Sequence, residues 1–167
     1  MDPLVKKTVL RMIPYGLYVL TAESADGQVA AATVNWVTQA SFEPPLVVVG
    51  TKMHSMVYSV IKASRAFALN VLGKGQQALA FTFFKSVSRD GDLISGERVR
   101  RGTTGAPLLE KAPAFAECKL VETIERGDHA VVIGEVVGAG VNVQPAGRPD
   151  DATLWLKELG EKTFYGG

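Results

Sequence analysis

The first half of the chain carries apolar side chains at a period of two. Between Pro14 and Thr21, Tyr15, Leu17 and Val19 interleave with Tyr18 and Leu20, a run rich in aromatic and branched residues that predicts a strand. Ala25-Asp26-Gly27 is a turn signal, and from Gln28 to Ala40 the residues Val29, Ala31, Thr33, Asn35 and Val37 fall on alternate positions, so a hairpin is expected. Phe42-Glu43-Pro44-Pro45 breaks regular structure, because proline lacks a donor and restricts its predecessor. Leu46 to Val49 is then an unbroken apolar run, expected to be a strand buried on both faces.

The period then changes. Met56, Val57, Val60 and Ile61 recur at helical spacing behind Ser55, a good N-cap, which predicts a helix ending near Ser64. Phe67, Leu69 and Val71 alternate again as a strand. Gln76 to Phe84 reads as a second helix with Leu79, Phe83 and Phe84 turned inward, followed by a polar, glycine-bearing loop to about Pro107. Two last strands, Phe115 to Ile124 and His129 to Val141, flank the tight turn Arg126-Gly127-Asp128. A short closing segment carries Trp155 and Phe164-Tyr165-Gly166-Gly167. About six strands and two helices, without regular βα alternation, predict a mainly β fold: a closed antiparallel six-stranded barrel decorated by helices.

The 167 residues suit one domain with its own core, and 47% hydrophobic against 21% charged residues is a globular balance. No run is long enough to span a membrane, and Met1 to Arg11 lacks the apolar block of a signal peptide, so a cytoplasmic protein is expected. A formal charge of +1 offers nucleic acid no attraction, and Arg98, Arg100 and Arg101 read as a solvated loop. Cys118 is the only cysteine and alternates with Ala116 and Leu120, as a small buried hydrophobe would. Two histidines and one cysteine are too few for a metal site of that type.

Candidate chemistry is sparse. There is no G-x-G-x-x-G, no P-loop and no G-x-S-x-G, while His54 and His129 each stand alone as bases. Asp90 and Asp92 sit in a glycine-bearing turn that a solvated loop explains better than paired acid catalysts do. A cofactor is therefore the expected source of any reactivity. Thr51-Lys52-Met53-His54-Ser55, between a strand end and a helix start, gathers a cation, an imidazole and two hydroxyls where free amides and the helix dipole attract a phosphate; a capped helix with a surface lysine would look the same. Ala32-Thr33-Val34-Asn35-Trp36 places Thr33 and Asn35 on one face of a strand and Val34 and Trp36 on the other, a mixture that suits a flat ring with polar edges.

The run ATVNWVTQASFEPPLVVVGTKMHSMVYSVIKASRAFALNVL, with the later GTTGAPLL, AECKL and GDHAVVIGEVV, resembles the flavin reductase-like branch of the FMN-binding split barrels from about Pro14 to Val141. PYGLYVLTA is most similar to ferric reductases, flavoredoxins and rubredoxin-associated flavin domains. The resemblance implies a homodimer that binds FMN, is reduced by NADH or NADPH, and passes electrons to free flavin, a ferric chelate or a protein acceptor. The alternative it leaves open is a non-enzymatic FMN electron carrier of the flavoredoxin type, fed by a redox partner. It also implies that Thr33, Val34, Asn35 and Trp36 line the ring, that Ser41 lies near the ribityl chain or phosphate, and that Lys52, His54 and Ser55 hold the phosphate. Phe84 and Lys85 would approach the flavin from the second helix. His129, in Gly127-Asp128-His129, would lie near the nicotinamide, although it could equally fasten its turn.

Overall fold

Alternation becomes structure in a large antiparallel sheet in which two neighbouring strands, Tyr18–Glu23 and Ala66–Val71, are covered on both faces. The computed structural model describes residues 1–166 and leaves Gly167 of the closing segment outside the described residues. In chain order the elements are helix α1 (Pro3–Arg11), strands β1 (Tyr18–Glu23), β2 (Val29–Val34), β3 (Val37–Ser41) and β4 (Leu46–Lys52), helix α2 (Met56–Ser64), β5 (Ala66–Val71) and helix α3 (Gln77–Thr82). Four short strands follow, β6 (Arg89–Asp90), β7 (Leu93–Ile94), β8 (Glu97–Arg101) and β9 (Pro107–Leu109). The long strands β10 (Ala114–Glu125) and β11 (His129–Val141) then precede two 3-10 turns, Pro149–Ala152 and Leu156–Leu159.

The predicted hairpin forms, with Tyr18 opposite Val34 and Glu23 opposite Val29. The sheet runs β2-β1-β5-β10-β11-β4-β3, seven strands rather than the six expected. The extra strand arises because the run from Gln28 to Ala40 is broken: the Val37 amide bonds back to the Asn35 carbonyl at 3.0 Å, and the chain leaves β1 to pair with β4. The period of two continues through this break, so the pattern alone hides it. The edge strands β2 and β3 are consecutive in sequence, so the sheet curls until its edges approach at Asn35-Trp36. No ladder joins them among the described residues, and the closed six-stranded barrel is corrected to a curled seven-stranded sheet.

Side-chain alternation divides the core. Leu17 and Val19 pack with Leu72, Leu79, Phe83, Leu109 and Leu154 on one side. Leu20 and Ala22 pack with Val49, Tyr58, Ile61, Phe67 and Val132 on the other, beneath α2. Ser55 caps α2 as expected, accepting from the Tyr58 amide at 3.3 Å, and Arg65 ends it in the left-handed region.

Other expectations change. The loop from Lys85 to Pro107 holds the four-stranded sheet β6-β7-β8-β9, whose strands of two to five residues are too short to show a period. Helix α1 has its start signal, Asp2 accepting from the Leu4 and Val5 amides ahead of Pro3, but it buries no residue. Within Leu46 to Val49 only Val49 is fully buried. Phe83 is buried, whereas Phe84 lies beyond the end of α3 and is 51% exposed rather than turned inward.

Candidate functional site

Where the sheet edges approach, the chain encloses a cavity of about 330 Å³, within the range of small-molecule sites. Thr33, Val34 and Asn35 supply one wall and Gly50, Thr51 and Lys52 the facing wall at the end of β4. Ser55 and Val57 from the start of α2, and Phe83 and Phe84 from the end of α3, complete most of the remainder. Leu17, Leu156 and Tyr165 add apolar surface from distant parts of the chain. A second, more open cavity of about 890 Å³ adjoins it, sharing Gly50, Lys52 and Tyr165 and lined also by Trp36, Asp128 and His129.

The break in the strand explains the first wall. Because the backbone turns at Asn35, Val34 joins Thr33 and Asn35 in the cavity instead of facing away, while Trp36 faces the second cavity. Thr33 is tied to α3, its amide bonding to the Phe83 carbonyl at 3.1 Å and its hydroxyl donating to the Ala80 carbonyl at 2.7 Å. Asn35 is buried and donates through Nδ2 to the Tyr165 carbonyl at 3.1 Å. Trp36 packs against Gly50, where a Cβ would lie 2.9 Å from its Cε3, so a larger residue there would displace the indole.

The facing wall is polar and partly unpaired. Thr51 is buried, and its Oγ1 has no hydrogen-bond partner. Buried hydroxyls are nearly always paired, so an unpaired one in a cavity wall fits a ligand that brings its own polar group. Lys52 is exposed and forms no ion pair among the described residues. Ser55 Oγ donates to the Lys52 carbonyl at 2.7 Å, folding the turn so that the cation and the start of α2 share one rim. The first-turn amides of α2 have no partner four residues back, which leaves this rim electropositive.

At the mouth, Asp128 Oδ1 and His129 Nδ1 are 2.9 Å apart, and His129 Nε2 lies 2.6 Å from the Tyr165 hydroxyl. The His129 hydrogen bond and charge hold the Asp128 carboxyl below its usual range. Burial, helped by the negative charge of Asp128, raises Tyr165. The Trp36 ring lies 4.6 Å from that of His129 and 5.4 Å from that of Tyr165, and Trp36 Nε1 is buried without a partner.

Of the residues singled out in the sequence, Thr33, Val34, Asn35, Lys52, Ser55 and Phe84 meet in the first cavity. Trp36 and His129 meet in the second. Ser41, His54 and Lys85 lie in neither wall: Ser41 ends β3 opposite Leu46, His54 is exposed beside Lys52, and Lys85 is exposed beside Phe84. Sequence reasoning missed Leu17, Val57, Leu156 and Tyr165. The first three resemble ordinary core residues, and Tyr165 sits in a segment without periodicity.

The sequence profile of the flavin reductase like domain matches residues 10–157. The chain belongs to this flavin reductase-like family. It is 33% identical over 135 residues to a flavin reductase of Pseudomonas putida, the match covering 81% of this chain and 78% of that one. A probable flavin reductase of Rhizobium meliloti (strain 1021) is 32% identical over 135 residues, but the match spans only 42% of its length. The chain thus spans less than half of that relative. Among solved structures, the NADH:FAD oxidoreductase SgcE6 of Streptomyces globisporus C-1027 superimposes with a TM-score of 0.72 at 28% identity, covering 84% of this chain and 85% of that one.

Proposed function

We propose that the chain is an FMN-binding flavin reductase: it holds FMN in the 330 Å³ cavity, accepts electrons from NADH or NADPH, and passes them to free flavin, a ferric chelate or a protein acceptor. The observation that carries this reading is the cavity wall. One side offers apolar surface and the buried Asn35 amide, and the other offers the unpaired Thr51 hydroxyl beside Lys52 and the start of α2. A conjugated ring with polar edges and a phosphate tail need those features in that order. The curled sheet is read as a split barrel whose open seam admits the ring.

Thr33, Val34 and Asn35 would bind and orient the ring, with Trp36 behind them. Lys52 and Ser55 would hold the phosphate, with His54 and Lys85 adding positive or polar character to the rim, and Phe84 would cover one side. Ser41 is assigned more distantly to the tail of the cofactor. His129 lines the outer cavity, where a nicotinamide can be held against the opening. Bound FMN would supply the redox chemistry, taking two electrons from the nicotinamide and releasing them to the acceptor. Alignment of two rings is the main demand of such a transfer, and the neighbouring cavities meet it without an acid-base pair.

A homodimer is the proposed functional unit. The β10–β11 hairpin leaves Val121, Ile124, Val131, Val137 and Val141 exposed, apolar side chains that a second copy of the chain would cover.

The deciding experiment is the visible spectrum of the purified protein loaded with FMN, followed anaerobically after addition of NADH or NADPH. Rapid bleaching by either donor is expected. A yellow protein that neither donor bleaches, but a reduced redox protein does, would indicate an electron carrier instead. Failure to retain FMN or FAD would reject the cofactor assignment.

A further inference from the structure

The segment from Gly160 to Gly166 has almost no regular structure, yet it is held by two side chains of the site and by Arg11 at the end of α1. Asn35 Nδ2 donates to the Tyr165 carbonyl at 3.1 Å. The Tyr165 hydroxyl meets His129 Nε2 at 2.6 Å. Arg11 Nε donates to the Gly166 carbonyl at 3.2 Å, and its guanidinium lies 4.3 Å from the centre of the Phe164 ring.

These contacts place the Tyr165 ring in the wall between the two cavities, where it lines both. The segment buries little in return. Phe164 is 55% and Tyr165 39% exposed, so a few hydrogen bonds and ring contacts rather than deep burial keep it in place. Segments held in this way open more readily than the core to which they are attached. His129 lines the outer cavity and not the inner one, so its hydrogen bond reaches the inner cavity only through Tyr165.

We propose that Tyr165 and Gly166 form a strap at the edge of the flavin cavity, latched by the hydrogen bond between Tyr165 and His129, and that the strap sets how fast flavin enters and leaves. The inference rests on reading the inner cavity as the flavin site. A strap that closes over empty and loaded cavities alike slows both passages without altering the equilibrium between them. Affinity stays with Asn35, Thr51, Lys52 and Ser55. The latch therefore decides whether the flavin behaves as a resident group or as an exchanging substrate.

The test is stopped-flow fluorescence of FMN mixed with apoprotein, with release followed on dilution, for the parent, Tyr165→Phe, His129→Ala and the double variant. Tyr165→Phe keeps the ring and the Asn35 contact to the Tyr165 carbonyl, removing only the hydroxyl. Each single variant is expected to speed association and dissociation together by about fivefold, the effect of one lost hydrogen bond, with Kd within about twofold. The double variant should be no faster than either single one, because all three lose the same bond. Unchanged rates in both single variants, effects that multiply in the double one, or a change in Kd carried by one rate alone would overturn the strap. A parent protein that binds neither FMN nor FAD rejects the flavin reading and the strap with it, whereas normal binding with unaltered exchange rejects the strap alone.

Discussion

At the scale of single residues, a buried and fully engaged carboxylate lies outside the site. Glu117 is 4% exposed on β10 and accepts from the Thr104 amide at 2.9 Å, the Thr104 hydroxyl at 2.8 Å and the Thr103 hydroxyl at 3.1 Å. Burial pushes its carboxyl up, but the hydrogen bonds outweigh burial and hold it below the ordinary glutamate value. A carboxyl depressed in the folded state stabilises fully above its unfolded pKa of about 4.3, and that contribution is lost as pH falls through the lower folded value. Thermal melts of the parent should therefore lose midpoint below about pH 4.3. Glu117→Gln, which presents an amide to donors, should cost about 1–3 kcal/mol at pH 7 and show a flatter pH dependence. Parallel pH curves for the two proteins would exclude this role. The neighbouring Cys118 is buried and its thiol is pushed up to about 12, chiefly by burial, so a thiol reagent should modify it only after unfolding. The sequence placed Cys118 inside by alternation, but nothing in it linked Glu117 to two threonines of a distant loop.

Among elements, legibility followed the length of the pattern. The capped helix α2 and the long pair β10–β11 repeat their period often enough to form close to their predicted bounds, whereas the hairpin β1–β2 forms with its first strand shifted towards the turn and its second cut short at Val34. The break at Asn35-Trp36 leaves the period intact, and β6 and β7 have only two residues each, so neither could be read. Close packing between strands is equally invisible in one dimension. Gly134 on β11 stands against the fully buried Phe67 of β5, and an added Cβ would overlap its ring, reaching Cε1 at 2.7 Å and Cys118 Cβ at 3.0 Å. With Phe67 wedged between α2 and the sheet, Gly134→Ala should destabilise by about 1–3 kcal/mol, the usual cost of overpacking. Phe67→Leu added to Gly134→Ala should restore part of that loss. Chemical denaturation measures both, and a Gly134→Ala variant as stable as the parent would show that the sheet yields there.

Across the whole molecule, the cavity draws its walls from residues as far apart as Leu17 and Tyr165, so a ligand in it ties the sheet, both covering helices and the closing segment together. That breadth also explains how much of the site the sequence disclosed. Thr33 to Asn35 and Lys52 to Ser55 lie in two local clusters with readable chemistry, whereas Leu156 and Tyr165 arrive only through the tertiary path. A ligand that binds the folded state alone stabilises it by about 2.7 kcal/mol at one hundred times its Kd, which for a chain of this size raises the melting midpoint by about 5–10 °C. FMN should produce such a shift. Riboflavin, which has the ring but no phosphate, should produce less at the same concentration, because it leaves Lys52 and the start of α2 without an anion. Lys52 is exposed and makes no ion pair among the described residues, so Lys52→Ala should scarcely change the midpoint without ligand. The same substitution should reduce the FMN shift towards that of riboflavin. Equal shifts for FMN and riboflavin in the parent protein would mean that the rim does not read the phosphate, and the orientation of the flavin in the cavity would have to be reversed.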